Sequence, residues 1–437
     1  MGILIFTLLG IVFVLLAAGV WVGISLMASA VSVAAIFTEL PVDRLFAQYA
    51  YNMLTTSELV ALPLFILMGE FLFRTKLSQG LFNGLAPWAA LLPGRLLHVN
   101  VIGSTIFASI SGSSAATTQV IGRMSLTELL RRGYGSDIAM GSLAGAGTLG
   151  FLIPPSTVMI IYGVLADQSI LRLFAAGLIP GVLLAMCFMS WIMIVTTVRP
   201  ELVPDSERAL KHVSMRERFA ALKELGPVLF LILCVLGSMY GGLATPSEAA
   251  AIGVLGSALV AWMQGVMSWR AIREVIMGSV QTSCMMGLII IGATILGNVC
   301  ATVGIPNLMA DFVNEMQLSP FMLIVALLIM YLILGCFLEG FAMIVTTLPV
   351  ALPLVMAAGF DPVWFGIFLV LAVEMAQVTP PLGFNFYVIK ALTGRSISYL
   401  FRVTCPFLII MIVFVLLLAI FPEIALWLPD TLYGKSV

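Results

Sequence analysis

Charge is what this chain has least of. Only 9% of its 437 residues are Asp, Glu, Lys or Arg, and 61% are hydrophobic. An average soluble domain carries roughly 25% charged residues. A water-soluble core of this length cannot bury so much apolar surface, so the composition indicates a polytopic membrane protein. The net charge of −1 excludes the basic footprint of a nucleic-acid binder. Histidine is nearly missing: His98 and His212 are the only two, too few and too peripheral for a histidine metal site. No stretch reads GxxxxGK[ST], so ATP is not the visible energy source. GSLAGAG at 141–147 holds glycines but lies in an apolar run and follows no soluble strand. The six cysteines (187, 234, 284, 300, 336 and 405) sit in apolar segments without CxxC spacing and read as packed thiols. Residues 1–37 lack a basic leader and a small-residue cleavage site, so they read as mature membrane helix. Ser113 and Ser156 have no His or Lys in reach by sequence, so no catalytic residue is assigned.

What is present is a series of long apolar runs. A helical crossing needs about 20 apolar residues. The first half predicts two short crossings at 3–20 and 22–37, then an amphipathic surface arm at 39–56 and a crossing at 58–73. A re-entrant hairpin over about 85–124, a broken helix at 138–166 and a crossing at 170–198 complete it. Residues 199–224 form the one long charged loop, with six Lys/Arg. The second half repeats the order: crossings at 227–243 and 249–267, an arm at 269–278, and a crossing at 279–303. A second hairpin follows at about 308–354, then a broken helix at 362–389 and a last crossing at 403–428. The division is thus 1–198, a linker at 199–226, and 227–437, each half an inverted repeat of the other in an all-α fold. Cytoplasmic loops carry the Lys/Arg excess. With the charged loop inside, 17 of the 20 Lys/Arg fall on the cytoplasmic side, leaving Arg44, Arg172 and Lys435 outside. Both termini then lie on the outer face, and the first hairpin opens inward while the second opens outward.

Two hairpin-plus-double-proline units carry the chemistry. The first is SGSSAATT at 111–118 with Ile153-Pro154-Pro155-Ser156; the second is Leu338-Glu339-Gly340-Phe341 with 378–383, VTPPLG. Irregular chain at membrane depth is tolerated only where protein buries it or it lines a cavity. Proline lacks an N–H and clashes with the carbonyl four residues back. Pro154 and Pro155 should free the carbonyls of Gly150 and Phe151; Pro380 and Pro381 should free those of Ala376 and Gln377. Ile153 and Thr379, each preceding a proline, should be extended. Freed carbonyls suit Na⁺, and the free N–H groups of each following half-helix suit a carboxylate. The alternative at each break is a simple kink. Ser111, Gly112, Ser113, Ser114 and Thr117 offer hydroxyls and close backbone approach at the first tip; the alternative there is helix packing, the role expected of Gly141/Gly145 and Gly253/Gly256. Of the acids in apolar runs, Glu339 at the second tip is the ion-site candidate, Glu374 a brace, and Glu70 a partner for nearby Arg74 or Lys76. Arg123, Arg131 and Arg132 read as topological anchors.

The segments FASISGSSAATTQVIGRM at 107–124, GTLGFLIPPSTVMIIYG at 147–163 and EMAQVTPPLGFNFYVIK at 374–390 resemble the large membrane (M) subunit of TRAP transporters. The resemblance covers essentially the whole chain in order. It implies an elevator-type carrier of the bacterial inner membrane, driven by the Na⁺ gradient and needing no cofactor beyond that ion. It implies a periplasmic substrate-binding protein and a small four-helix membrane subunit as partners, the latter expected as a separate chain, with membrane lipid around them. Carried onto this sequence, one Na⁺ site comprises Ser111, Gly112, Ser113, Ser114, Gly150 and Pro154. The other comprises Glu339, Gly340, Met343, Val378 and Thr379. An organic acid would bind near Ser114, Thr117, Pro155, Ser156, Pro381, Gly383 and Asn385. Where some members carry an Asp just after SGSS, this chain reads AATT. The rival readings are a free-standing Na⁺/dicarboxylate symporter, an intramembrane enzyme, for which the tips offer only Glu339 as a titratable group, and a channel.

Overall fold

A computed structural model describes residues 2–38, 42–75, 77–208, 214–316, 319–381 and 383–434. Lys76, Lys211 and Lys435, used in the charge count, lie outside the described residues, as does Leu382 of the second proline motif. Regular structure among the described residues is entirely helical. That follows from the solvent: hydrocarbon cannot satisfy an open backbone, and a helix pairs its own. Among the described residues seven helices are long and apolar enough to cross a membrane, or eight if Phe46–Leu54 and Ser57–Phe73, bent by 58°, form one span.

The helices pack as two groups. In one, Val22–Phe37, Ala61–Phe73, Met215–Tyr240, Pro246–Met263 and Trp269–Thr302 lie against one another. In the other, Ile170–Val198 and Ile397–Ile420 flank the hairpins and the broken helices. The groups meet where Trp269–Thr302 touches Gly340–Ala357 and where Ala61–Phe73 touches Leu97–Ser111. The broken unit Ser136–Leu165 is mostly enclosed by the rest of the chain, whereas Met215–Tyr240 is mostly exposed. This is the distribution expected if irregular backbone must be sheathed in protein while regular helices face lipid.

Several boundaries differ from the sequence expectation. The first hairpin begins at Leu97, not near 85; Leu77–Ala89 is a separate amphipathic helix ended by the turn at Pro93-Gly94, with Gly94 at φ +94°. The second hairpin is Pro320–Leu334 with Gly340–Ala357, and Ile305–Met316 before it is again separate. The arm expected at 269–278 does not stand alone. Trp269–Thr302 is one helix of 34 residues, about 51 Å long at 1.5 Å per residue. It overreaches a hydrocarbon core of about 30 Å, so charge at its start needs no separate element. The charged loop is shorter than expected, because Ser214 and Glu217 form a capping box that starts Met215–Tyr240. The last crossing ends at Ile420; Phe421-Pro422 breaks it before Glu423–Tyr433. Residues 2–37 do form two helices, Gly2–Ala17 and Val22–Phe37.

The glycine pairs read as packing positions do pack. A Cβ at Gly145 would lie 2.7 Å from the Phe407 ring, and one at Gly256 would lie 2.5 Å from Leu231. Arg131 and Arg132 both bind Glu128, and Arg132 also reaches Glu207 at 2.8 Å. The Arg131–Glu128 pair is exposed and worth about 0–1 kcal/mol; the Arg132–Glu207 pair is part-buried, with Glu207 only 7% exposed, and ties the first hairpin to the charged loop.

Candidate functional site

The first tip is built by a helix stop and a helix start placed back to back. Leu97–Ser111 ends at Gly112, whose φ of +56° is left-handed and favours glycine. Ser113 then caps Ser114–Ile121, its hydroxyl accepting from the Ala116 N–H. A π-helical turn over Gly122–Leu126 follows. The Ser111 and Thr117 hydroxyls pair at 2.9 Å. Below them Asn100 donates to Ser142 at 2.8 Å and to the Ala139 carbonyl at 3.1 Å, and accepts from Ser125. That buried network locks both hairpin arms to the broken helix.

The broken helices behave as their prolines require. Ser136–Gly147 and Leu149–Leu152 end at Ile153, which is extended at φ −90°, ψ 122°. Helix resumes at Thr157 with Ser156 as cap, accepting from the Met159 N–H at 3.3 Å. The second runs Pro362–Ala376, breaks, and resumes as Phe384–Thr393. Both Pro–Pro bonds, 154–155 and 380–381, are cis.

Tip and break meet backbone to backbone. A Cβ at Gly150 would lie 2.5 Å from Ser114 Cα and 2.6 Å from the Ser113 carbonyl oxygen; one at Gly112 would lie 2.8 Å from the Pro155 carbonyl oxygen. The Thr157 hydroxyl donates to the Gly112 carbonyl at 2.9 Å. At the second tip, a Cβ on Gly340 would lie 2.5 Å from Val373 and 3.3 Å from the Gln377 amide nitrogen. Ser114 joins the two halves: its hydroxyl donates to the Gly147 carbonyl at 3.0 Å and accepts from Asn385 Nδ2 at 3.0 Å. Phe151 and Phe341 meet edge to face, ring centres 5.6 Å apart.

Residues 9–424 match the family described as "Tripartite ATP-independent periplasmic transporter, DctM component". The chain belongs to that family. It is 35% identical to the C4-dicarboxylate TRAP transporter large permease protein DctM of Pseudomonas aeruginosa, over 88% of this chain and 89% of the relative. It is 30% identical to the sialic acid TRAP transporter large permease protein SiaM of Vibrio cholerae, over 98% of each. Its fold is similar to the crystal structure of the Alcanivorax borkumensis YdaH transporter, with a TM-score of 0.59 and 13% identity over 93% of this chain and 96% of that one.

In this DctM-family chain the expected site residues are distributed unevenly. Ser111, Gly112, Ser113, Ser114, Thr117, Gly150, Asn385 and the Pro155 carbonyl come together at the first tip, and Pro154 is buried in the adjoining break. Pro155 and Ser156 are buried within the first break, while Pro381 is exposed at the second. Gly340, Met343 and Val378 are buried, and Glu339 and Thr379 partly so. The second break is more closed than the prolines suggest. The Gln377 carbonyl, expected free, accepts from the Asn385 N–H at 3.2 Å; that of Ala376 accepts from the Thr379 N–H at 3.3 Å. Gly383 donates its N–H to the Thr379 carbonyl at 3.0 Å.

Three acids resolve differently. Glu374 is 1% exposed, and its Oε1 accepts from the Phe151 N–H at 2.5 Å. It braces, as its place suggested, but it braces the other half's break. Glu339 is the N-cap of Gly340–Ala357. The Arg74 partner is not Glu70 but Glu274, at 2.6 Å, because the long helix Trp269–Thr302 carries Glu274 alongside. Glu70 instead lines a cavity of about 430 Å³ with Gly69, Arg74, Ser111, Ser113 and Gln119. Phe341 closes part of it. That volume is in the range of roughly 300–1,000 Å³ usual for small-molecule sites. Sequence reasoning missed Gln119 and Thr157, which also line this cavity, and gave Arg74 a different partner. An amide eight residues past the SGSS start, still inside the apolar run, was a readable signal for Gln119.

Proposed function

We propose that this chain is the large permease subunit of a Na⁺-driven TRAP importer of organic acids in the bacterial inner membrane. The observation that carries this reading is the Ser114 junction. One buried hydroxyl ties the first tip, the first broken helix and the second broken helix together. Carbonyls, hydroxyls and helix N-termini converge there inside a membrane-spanning fold, a donor set suited to a hard cation beside a carboxylate. The two helix groups fit an elevator, the outer set fixed and the hairpin set travelling. The halves 1–198 and 227–437 would be its inverted repeats. Ser111, Gly112, Ser113, Ser114, Gly150 and Pro154 would hold one ion, and Glu339, Gly340, Met343, Val378 and Thr379 the other. The acid would bind between the tips. Relatives named for C4-dicarboxylate and sialic acid transport support an acidic substrate. Membership of a tripartite family supports a binding protein and a small membrane subunit, here taken as a separate chain.

Two expectations test this. Ser111→Ala with Ser114→Ala raises the Na⁺ concentration for half-maximal uptake about fivefold or more, the worth of about one hydrogen bond. Unchanged Na⁺ dependence in proteoliposomes holding all three components would refute the first ion site. Uptake of free substrate without any binding protein would favour the stand-alone symporter. For topology, a cysteine at Arg216 reacts with an impermeant thiol reagent only from the cytoplasmic side. Arg216 is exposed where Arg218 is buried, so 216 is the usable position. Labelling of intact cells would invert the orientation.

A further inference from the structure

Away from the tips, a groove runs between Ile170–Val198 and Ile397–Ile420. It contains two adjoining cavities of about 460 and 680 Å³ that share Trp191, Arg402 and Pro406. Its walls are apolar, with Trp191, Phe401 and Phe407 beside aliphatic side chains; of these Ile194, Val198 and Ile409 are 57%, 74% and 54% exposed. Its polar end is basic. Arg199 lines one cavity and Arg402 both. Both are exposed, and neither guanidinium makes a hydrogen bond or ion pair with any described residue. Nearby Arg395 lies 5.3 Å above the Tyr399 ring. The one acid lining the groove, Asp137, is already engaged, accepting from the Tyr399 hydroxyl and from Ser136. Glu201, the next acid along, lines neither cavity. Pro406 adds a further feature, since it withholds the N–H that would pair the Arg402 carbonyl.

We infer that this groove is a binding site for one anionic phospholipid, with the phosphate held by Arg199 and Arg402 and an acyl chain laid along Ile194, Val198 and Ile409. Charge complementarity decides the occupant. Two unpaired guanidinium groups at the end of an apolar slot match a lipid that carries net negative charge at its head. A zwitterionic lipid brings a cation to the same place and gains less. Trp191, shared by both cavities, is the amphipathic ring favoured at the boundary between acyl chain and headgroup. Because the groove lies between two helices of the hairpin-bearing group, the lipid would be carried by that group rather than by the outer one.

The test uses the purified full-length chain with dioleoyl-phosphatidylglycerol and dioleoyl-phosphatidylcholine at equal mole fraction, read by native mass spectrometry and thermal unfolding. Wild-type protein retains one phosphatidylglycerol in preference to phosphatidylcholine and melts higher with it. The variant R199Q/R402Q loses that preference by roughly tenfold or more, as expected for two surface arginines. Equal retention of both lipids by the wild type overturns the proposal without recourse to any variant. So does an unchanged preference in R199Q/R402Q. Inorganic phosphate reproducing the full thermal shift would show that the headgroup alone is recognised, and would overturn the lipid assignment.

Discussion

Gly150→Ala abolishes uptake while the protein still inserts. The added methyl would sit 2.5 Å from Ser114 Cα and 2.6 Å from the Ser113 carbonyl oxygen. Both obstacles are backbone, held by the Ser113 cap and by the Ser114 hydroxyl bond to Gly147. Neither can rotate aside as a side chain would. Overpacking of this kind costs about 1–3 kcal/mol, enough to lower the population of the assembled tip roughly 5- to 150-fold. The cost falls on the one place where the tip must touch the break. The measurement is Na⁺-dependent uptake in proteoliposomes beside membrane-inserted protein quantified by blot. Uptake within twofold of wild type would mean the tip does not seat against residue 150.

Replacing Glu374 gives the second large effect, and the choice of replacement separates two explanations. Glu374→Ala leaves the Phe151 N–H unpaired in a fully buried position. An orphaned buried donor costs about 1–3 kcal/mol, and the lost side chain leaves a cavity besides. Because Phe151 also packs on Phe341, loosening it disturbs both tips at once. Uptake should fall at least tenfold. Glu374→Gln keeps an amide oxygen where Oε1 now accepts from Phe151, so it should retain most of the activity. If Gln fails as badly as Ala, the carboxylate charge is needed for itself, and Glu374 belongs to an ion site rather than to the bracing of the break.

Both expectations concern contacts that no local pattern in the chain reveals. Gly150 is one of 39 glycines, and nothing adjacent to it marks the tip it must face. Glu374 stood out as an acid in an apolar run, and a bracing role followed from the break five residues on. Its true partner lies 223 residues away. Arg74 is the opposite case: the nearest acid in sequence, Glu70, was the natural partner, and Glu274 took it because a continuous helix brought that side chain alongside. The second arm differs from its expected form for a related reason. The stretch at 269–278 satisfies the amphipathic pattern, but a surface helix and the exposed end of a long crossing have the same periodicity, whereas the first arm is a helix of its own, Val42–Leu54. Ile305–Met316 and the end of Leu77–Ala89 read as hairpin because of their apolar neighbours.

Sequence alone determined the membrane location, the all-helical class, the two tips and the two breaks. Each depends on a local property: hydrophobic run length, the missing N–H of proline, or the bare backbone of Gly112. The family resemblance sets each tip beside its break, but tertiary structure alone decided the bonds that join them: Thr157 to Gly112, and Ser114 to Gly147 and to Asn385, 271 residues away. It also decided that the carbonyls of Ala376 and Gln377 find partners despite the prolines beyond them. Pairings across the fold are selected by the shape of the assembled interior, where every buried polar group must find a partner, and that requirement has no period for a linear pattern to show.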